Sequence, residues 1–183
     1  MDKTNDWSLK DITIMALYVG LTVIGTTIRV PLPALMGNPF FHFGMPILCL
    51  AVLTLGFFKG SLAGGVGFVI FDVLNGLVVD APIMLVESFV VGGALYLSCH
   101  LFKSYQEKIW FIPLVMSITA VVKVTIVFIE NLLIQLIMGN SLEVSAVASV
   151  STLYITALNA VVAVIIVSIL YKPVSHLYQR VSR

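Results

Sequence analysis

Residues 110–138 read WFIPLVMSITAVVKVTIVFIENLLIQLIM, a run of 29 residues whose only charges are Lys123 and Glu130. A helix that crosses a bilayer needs roughly 20 mostly apolar residues, and this run exceeds that. Its composition is not exceptional within the chain. Of the 183 residues, 60% are hydrophobic and 10% charged, and the mean hydropathy is +1.09. A soluble domain carries about 25% charged residues, so a soluble fold of this sequence would have almost no polar skin. The expected fold is all-α, a polytopic membrane protein. A formal net charge of +1 gives no basis for nucleic acid or another acidic macromolecule as a partner.

Five further helices are predicted around that segment. Together the six spans fall at about 8–28, 43–58, 60–79, 82–103, 110–138 and 147–171, in a single transmembrane domain covering 1–183. Between the first two lies RVPLPALMGNPFFH (29–42), where three prolines and a glycine break the apolar pattern into an external loop. Lys59-Gly60 is expected to turn helix 2 into helix 3, Asp80-Ala81-Pro82 to restart helix 4, and GNSLE to separate helices 5 and 6. The first residues, MDKTNDWSLKD, mix acids and bases without a small-residue cleavage site, and the first helix is expected to be retained. With the N-terminus inside, Lys3, Lys10, Lys59, Lys103, Lys108, Lys172, Arg180 and Arg183 all fall in cytoplasmic segments, leaving Arg29 outside and Lys123 within a span. Excess Lys and Arg on the cytoplasmic side orients membrane helices, and an even number of spans then places both termini in the cytoplasm.

Ionisable and amide side chains inside a span are costly and usually face protein or a water-filled cavity. Those present are Asp72 in helix 3, Glu87 in helix 4, Lys123, Glu130 and Asn131 in helix 5, and Tyr154 and Asn159 in helix 6. Lys123 and Glu130, seven apart, share a helix face, as do Thr152, Thr156 and Asn159. Counted along each helix at about 1.5 Å per residue, most of the set gathers in the outer half of the bundle, below a loop whose Asn38, Phe40, Phe41 and His42 can act as a lid. An apolar concavity with a few convergent polar groups is what a small ligand needs. The candidate substrate-binding residues are therefore Asn38, Phe41, His42, Glu87, Lys123, Glu130, Asn131, Tyr154 and Asn159. Each has a plainer reading: Asp72 as a brace of the helix 3–4 turn, Tyr154 as an interfacial aromatic, His42 as a surface residue, Lys123 as an ion-pair partner of Glu130, Asp72 or Glu87.

No catalytic constellation and no metal-binding spacing is present. Cys49 and Cys99 both lie in apolar runs and read as small core residues. GFFKGS lacks the spacing of a phosphate-binding loop, which excludes ATP binding by this chain. The glycines read instead as packing devices. Gly56, Gly60 and Gly64 recur every fourth residue, and Ala16-xxx-Gly20 places a small-residue face on helix 1. Small residues let helix backbones approach closely where lipid removes the hydrophobic drive.

From His42 to Gly76 the sequence HFGMPILCLAVLTLGFFKGSLAGGVGFVIFDVLNG resembles the substrate-binding S components of energy-coupling factor (ECF) vitamin transporters. The likeness rests on Pro46, on the Gly56/Gly60/Gly64 series and on Asp72 late in helix 3, and it extends in length and topology over the whole chain. It implies a prokaryotic plasma-membrane protein with no cofactor of its own. Such a protein captures a vitamin outside, closes the first loop over it, and delivers it inward with a transmembrane T subunit and two ATPase subunits that use ATP. Ala16-xxx-Gly20 looks like the helix 1 face by which S components dock, although the family usually has alanine where Gly20 stands. Among the vitamins, the resemblance favours hydroxymethylpyrimidine or pyridoxine, with pantothenate or niacin on Lys123 or Arg29 as a further option. The competing readings are a proton-coupled secondary transporter and a structural membrane subunit that binds no small ligand.

Overall fold

A computed structural model describes residues 7–32 and 40–182. Asn38 lies outside the described residues. Six α-helices occur among the described residues: α1 (Leu9–Thr27), α2 (Gly44–Leu55), α3 (Phe57–Leu74), α4 (Ala81–Leu101), α5 (Phe111–Ile137) and α6 (Leu142–Ser182). Between α1 and α2 the chain forms a two-stranded antiparallel hairpin, β1 (Arg29–Pro31) and β2 (Phe40–His42), in which Val30 faces Phe41. At 29–31 and 40–42 these strands stand where irregular chain was expected from the prolines.

Five helices, all but α2, are long and apolar enough to cross a membrane. Large apolar side chains point outward around the bundle: Val86 is 64% exposed, Ile169 67% and Ile137 85%. In water such a surface would aggregate, whereas against lipid it is the natural exterior. The fold is that of an all-helical, polytopic membrane protein.

α2 is different. Its 12 residues rise only ~18 Å, against ~30 Å of hydrocarbon. Eight of them, from Gly44 to Val52, are buried, and the helix touches α1, α3, α4 and α6. The shortfall is harmless because protein, rather than lipid, surrounds it. β2 dips into the bundle, with the Phe43 N–H donating to the Gly25 carbonyl of α1 at 2.9 Å. At the other end, Lys59 of α3 pairs with Asp11 of α1 at 2.6 Å. α2 thus runs from the hairpin end of the bundle to the end where α1 begins.

The turn between α2 and α3 falls at Gly56, not at Lys59-Gly60. Gly56 has φ +83°, the left-handed region that glycine enters without steric cost, and it serves both as the last cap of α2 and the first of α3. Gly60 lies one turn into α3, where a Cβ would collide with the backbone of Val52 in α2. Three further glycines on α3 each admit a different neighbour: Gly64 takes Leu48 of α2, Gly67 takes Thr22 of α1, and Gly65 takes Leu85 and Ser88 of α4. Helix α3 is therefore a hub that its glycines allow three other helices to approach.

The last helix also departs from expectation. It begins at Leu142 instead of 147 and continues to Ser182 instead of ending at 171. The polar residues of GNSLE start the helix where a break was expected, with the Val144 N–H reaching Ser141 Oγ at 3.4 Å and Ser145 Oγ donating to the Ser141 carbonyl at 2.8 Å. At the far end Pro173 sits inside the helix. A proline there costs one backbone bond, but Tyr171 and Val174 on either side pack against the core, and the helix continues. Likewise α3 ends at Leu74, five residues before the expected boundary, because Asn75 Nδ2 caps the Phe71 carbonyl at 2.8 Å and Gly76 turns the chain at φ +77°.

Replacing Gly60 by alanine forces the α2–α3 crossing apart and lowers stability by about 1–3 kcal/mol. A Cβ at Gly20 meets nothing within 4 Å, so Gly20→Ala leaves stability unchanged or slightly higher. Thermal unfolding of the two variants in detergent, side by side, checks the contrast.

Candidate functional site

At the hairpin end of the bundle, aromatic rings from β2 and α3 meet. The Phe40 ring lies 5.9 Å from Phe71 and 5.3 Å from His42, and the His42 ring lies 5.9 Å from Phe68. The Arg29 guanidinium sits over both Phe40 and Phe71, at 5.0 and 5.2 Å from the ring centroids, and donates to Asn75 Oδ1 at 3.0 Å. A cation over aromatic faces contributes about 1 kcal/mol, and here it ties β1, β2 and the end of α3 into one unit. Arg29 is thus engaged with the protein itself.

His42 is a brace. Its Nδ1 accepts the N–H of Gly44, the first residue of α2, at 3.1 Å, which requires that nitrogen to be unprotonated. Burial, with a smaller contribution from the charge of Lys123, pushes the imidazole pKa down from 6.5 to about 3. The ring therefore stays neutral in the physiological range and joins the hairpin to α2. Phe41, the strand neighbour on the other face, stacks edge-on against Phe43 at 5.1 Å.

Below the hairpin, Lys123 Nζ of α5 is bonded to Glu87 Oε1 of α4. Of the partners weighed from the sequence, Glu87 is the one Lys123 takes. Glu130 shares its helix face but is not its ion-pair partner. Both members are largely enclosed, and Glu87 Oε2 has no hydrogen-bond partner in its buried position. The second acid of the region, Asp72, is 6% exposed and leaves Oδ2 without a partner as well. Buried carboxylate oxygens are seldom left unbonded, so these two are acceptors available to a donor that enters the site.

The remaining sequence candidates scatter. Asn131 Nδ2 donates to Thr152 Oγ1 at 3.0 Å, a strut between α5 and α6. Asn159 of α6 points at β2: its Oδ1 accepts from the His42 N–H at 3.0 Å and its Nδ2 donates to the Phe40 carbonyl at 3.1 Å. Tyr154, on α6, is 49% exposed. On α1, Ala16 and Gly20 are both exposed and flanked by outward Leu17, Leu21 and Ile24, leaving a smooth apolar face.

A family model of the ECF-type riboflavin transporter S component matches residues 6–176. The chain belongs to this family. No curated protein and no solved structure matches it. As an ECF S component it is a transporter subunit and not an enzyme. Its role is to bind substrate for an importer that also contains a T subunit and ATPases, and its substrate is a vitamin.

Several residues around the site of this S component escaped the sequence reading. Phe68 and Phe71 were indistinguishable there from ordinary apolar helix residues. Asn75 and the clamp it forms with Arg29 depend on a hairpin that the prolines concealed. The alternation of Arg-Val-Pro and Phe-Phe-His, short and rich in β-branched and aromatic residues, was the available signal for strands.

The ion pair sets a clear energetic expectation. Lys123→Met strands the Glu87 carboxylate among helices and destabilises the protein by about 3–5 kcal/mol. Adding Glu87→Gln removes the orphaned charge and recovers most of that loss. Thermal unfolding of the two single variants and the double variant measures the coupling.

Proposed function

We propose that this S component captures a hydroxylated heteroaromatic vitamin, riboflavin first, from outside a prokaryotic cell and presents it to its partner subunits. The observation that carries this reading is the buried Glu87–Lys123 pair, with one carboxylate oxygen left open beneath an aromatic hairpin. A ligand with hydroxyl or ring N–H donors supplies what Glu87 Oε2 and Asp72 Oδ2 lack, whereas a hydrocarbon-like ligand would leave both acceptors unpaired at a cost of about 1–3 kcal/mol each. A flat ring system suits the Phe40 face of the hairpin, where aromatic stacking adds about 0.5–1.5 kcal/mol per pair. Riboflavin combines a large planar ring with a chain of hydroxyls, and it is the vitamin in the name of the matching family. Glu87 and Lys123 are the central contacts in this reading, with Phe41 and His42 above them, Glu130 and Asn131 at the margin, and Asn38 as a further ligand contact.

A second reading takes hydroxymethylpyrimidine or pyridoxine as substrate. The same ion pair favours it, since an amine and a carboxylate side by side suit the two polar ends of a small ring. In both readings the hairpin faces outward and both termini face the cytoplasm, the orientation that the Lys and Arg distribution supports. The six helices then alternate in direction, with α2 as the buried crossing.

Titration of the detergent-purified protein with each vitamin decides between them. Riboflavin bound at one equivalent, with its own fluorescence quenched by stacking, is the expected result. Binding of pyridoxine or hydroxymethylpyrimidine and not riboflavin replaces the first reading by the second. A folded protein that binds none of them removes the substrate assignment altogether.

The α1 face is the proposed docking surface for the T subunit. Gly20→Leu adds bulk where close approach is needed, at a position whose Cβ has open space around it within this chain. Ligand binding by the isolated variant stays normal while uptake in cells carrying the complete transporter falls at least tenfold. Normal uptake would place docking elsewhere.

A further inference from the structure

Asn159 was expected to touch ligand, yet both ends of its carboxamide are already committed. The carbonyl oxygen takes the His42 N–H and the amide nitrogen gives to the Phe40 carbonyl. Residues two apart on a strand present their backbone groups on the same edge. β1 occupies the opposite edge through the pairing of Val30 with Phe41. Asn159 therefore completes the outer edge of β2 as a third strand would, from a helix and with one side chain. It is 7% exposed, so water does not readily substitute for these bonds.

The other ties of the hairpin go elsewhere. Arg29 and Phe40 hold it to α3, the His42 ring to the start of α2, and the Phe43 N–H to α1. Asn159 fastens it to α6, a helix that carries none of those anchors. A lid that lifts away from α6 can keep the Arg29 clamp and the α1 bond as its hinge, but it must give up both Asn159 bonds.

We propose that Asn159 is a positioning residue, a latch that holds the β1–β2 hairpin closed against α6 and so governs ligand residence without contacting the ligand. The residence part rests on the substrate-capture reading; the latch itself does not. Hydrogen exchange on the ligand-free, full-length protein tests the latch directly. In Asn159→Leu, peptides covering residues 40–43 exchange about tenfold faster, the equivalent of losing one net hydrogen bond, while peptides from α3 and α5 keep their protection. Asn159→Asp retains an acceptor for the His42 N–H and loses the donor to Phe40, and it gives an intermediate rate. It also provides the comparison should the leucine variant lose protection throughout. Unchanged exchange at 40–43 in a folded variant overturns the proposal.

The second measurement is riboflavin dissociation. A latch predicts faster release from Asn159→Leu together with faster exchange in the ligand-free state. Faster release with no change in the ligand-free hairpin would instead make Asn159 a direct contact and overturn the latch. If no vitamin binds the wild-type protein, the substrate reading fails while the exchange result still judges the latch.

Discussion

Val52 and Gly60 occupy space that only one side chain could share, and the backbones of α2 and α3 touch because neither asks for more. Lipid offers helices no hydrophobic reason to associate, so contact at this range must come from dispersion and from the absence of bulk. With α2 and α3 fixed together, the other glycines of α3 set the distance to α1 and α4, and α2 becomes the axis around which α1, α3, α4 and α6 arrange themselves. Packing at such short range leaves no space for solvent, which is why so many hydroxyls fold back on their own helix. Thr22, Thr26, Thr119 and Ser149 each donate to the carbonyl four residues earlier, satisfying a polar group without a partner from another helix.

The same dryness gives the polar groups at the hairpin end their force. Lys123 and Glu87 come from neighbouring helices and neutralise each other, yet the carboxylate keeps one oxygen unanswered. Above them the hairpin is held by a guanidinium over two rings, a neutral imidazole and a carboxamide. The Glu87–Lys123 pair lies below the aromatic surface of the hairpin. A ligand with a polar end and a flat ring would meet these two environments in that order, which is the physical argument behind the proposal of substrate capture at this end.

Much of this was legible from the chain. Apolar runs longer than a bilayer is thick gave the helices, and the glycine spacing gave the close α2–α3 approach. What escaped was local and cooperative. The α2–α3 turn was placed on Lys59-Gly60 because a charged residue beside a glycine reads as a loop, while the real requirement, a positive φ, fell to Gly56. The last span was expected to end at 171, and only the packing of Tyr171 and Val174 reveals that the helix passes on through Pro173. At the site, Glu87 and Lys123 were singled out by the cost of burying charge, a rule that operates residue by residue. Their pairing with each other rather than with Glu130 depends on how α4 and α5 lie together, which no spacing along one helix encodes. Asn159 was found for the same reason, but its attachment to a strand over a hundred residues away could not be.

The brevity of α2 carries over to how the chain enters the membrane during synthesis. A segment of 12 residues is too short to be held in the bilayer on its own, and its neighbours in the finished bundle, α4 and α6, have not yet been made when it leaves the ribosome. α1 is already in place by then, and the next partner to emerge is α3, joined to α2 by the single residue Gly56 and matched to it at Gly60 and Gly64. The two helices are thus suited to enter the bilayer as one folded pair, with the left-handed glycine as the bend of the hairpin. The turn residue is then a requirement of assembly as well as of the finished shape.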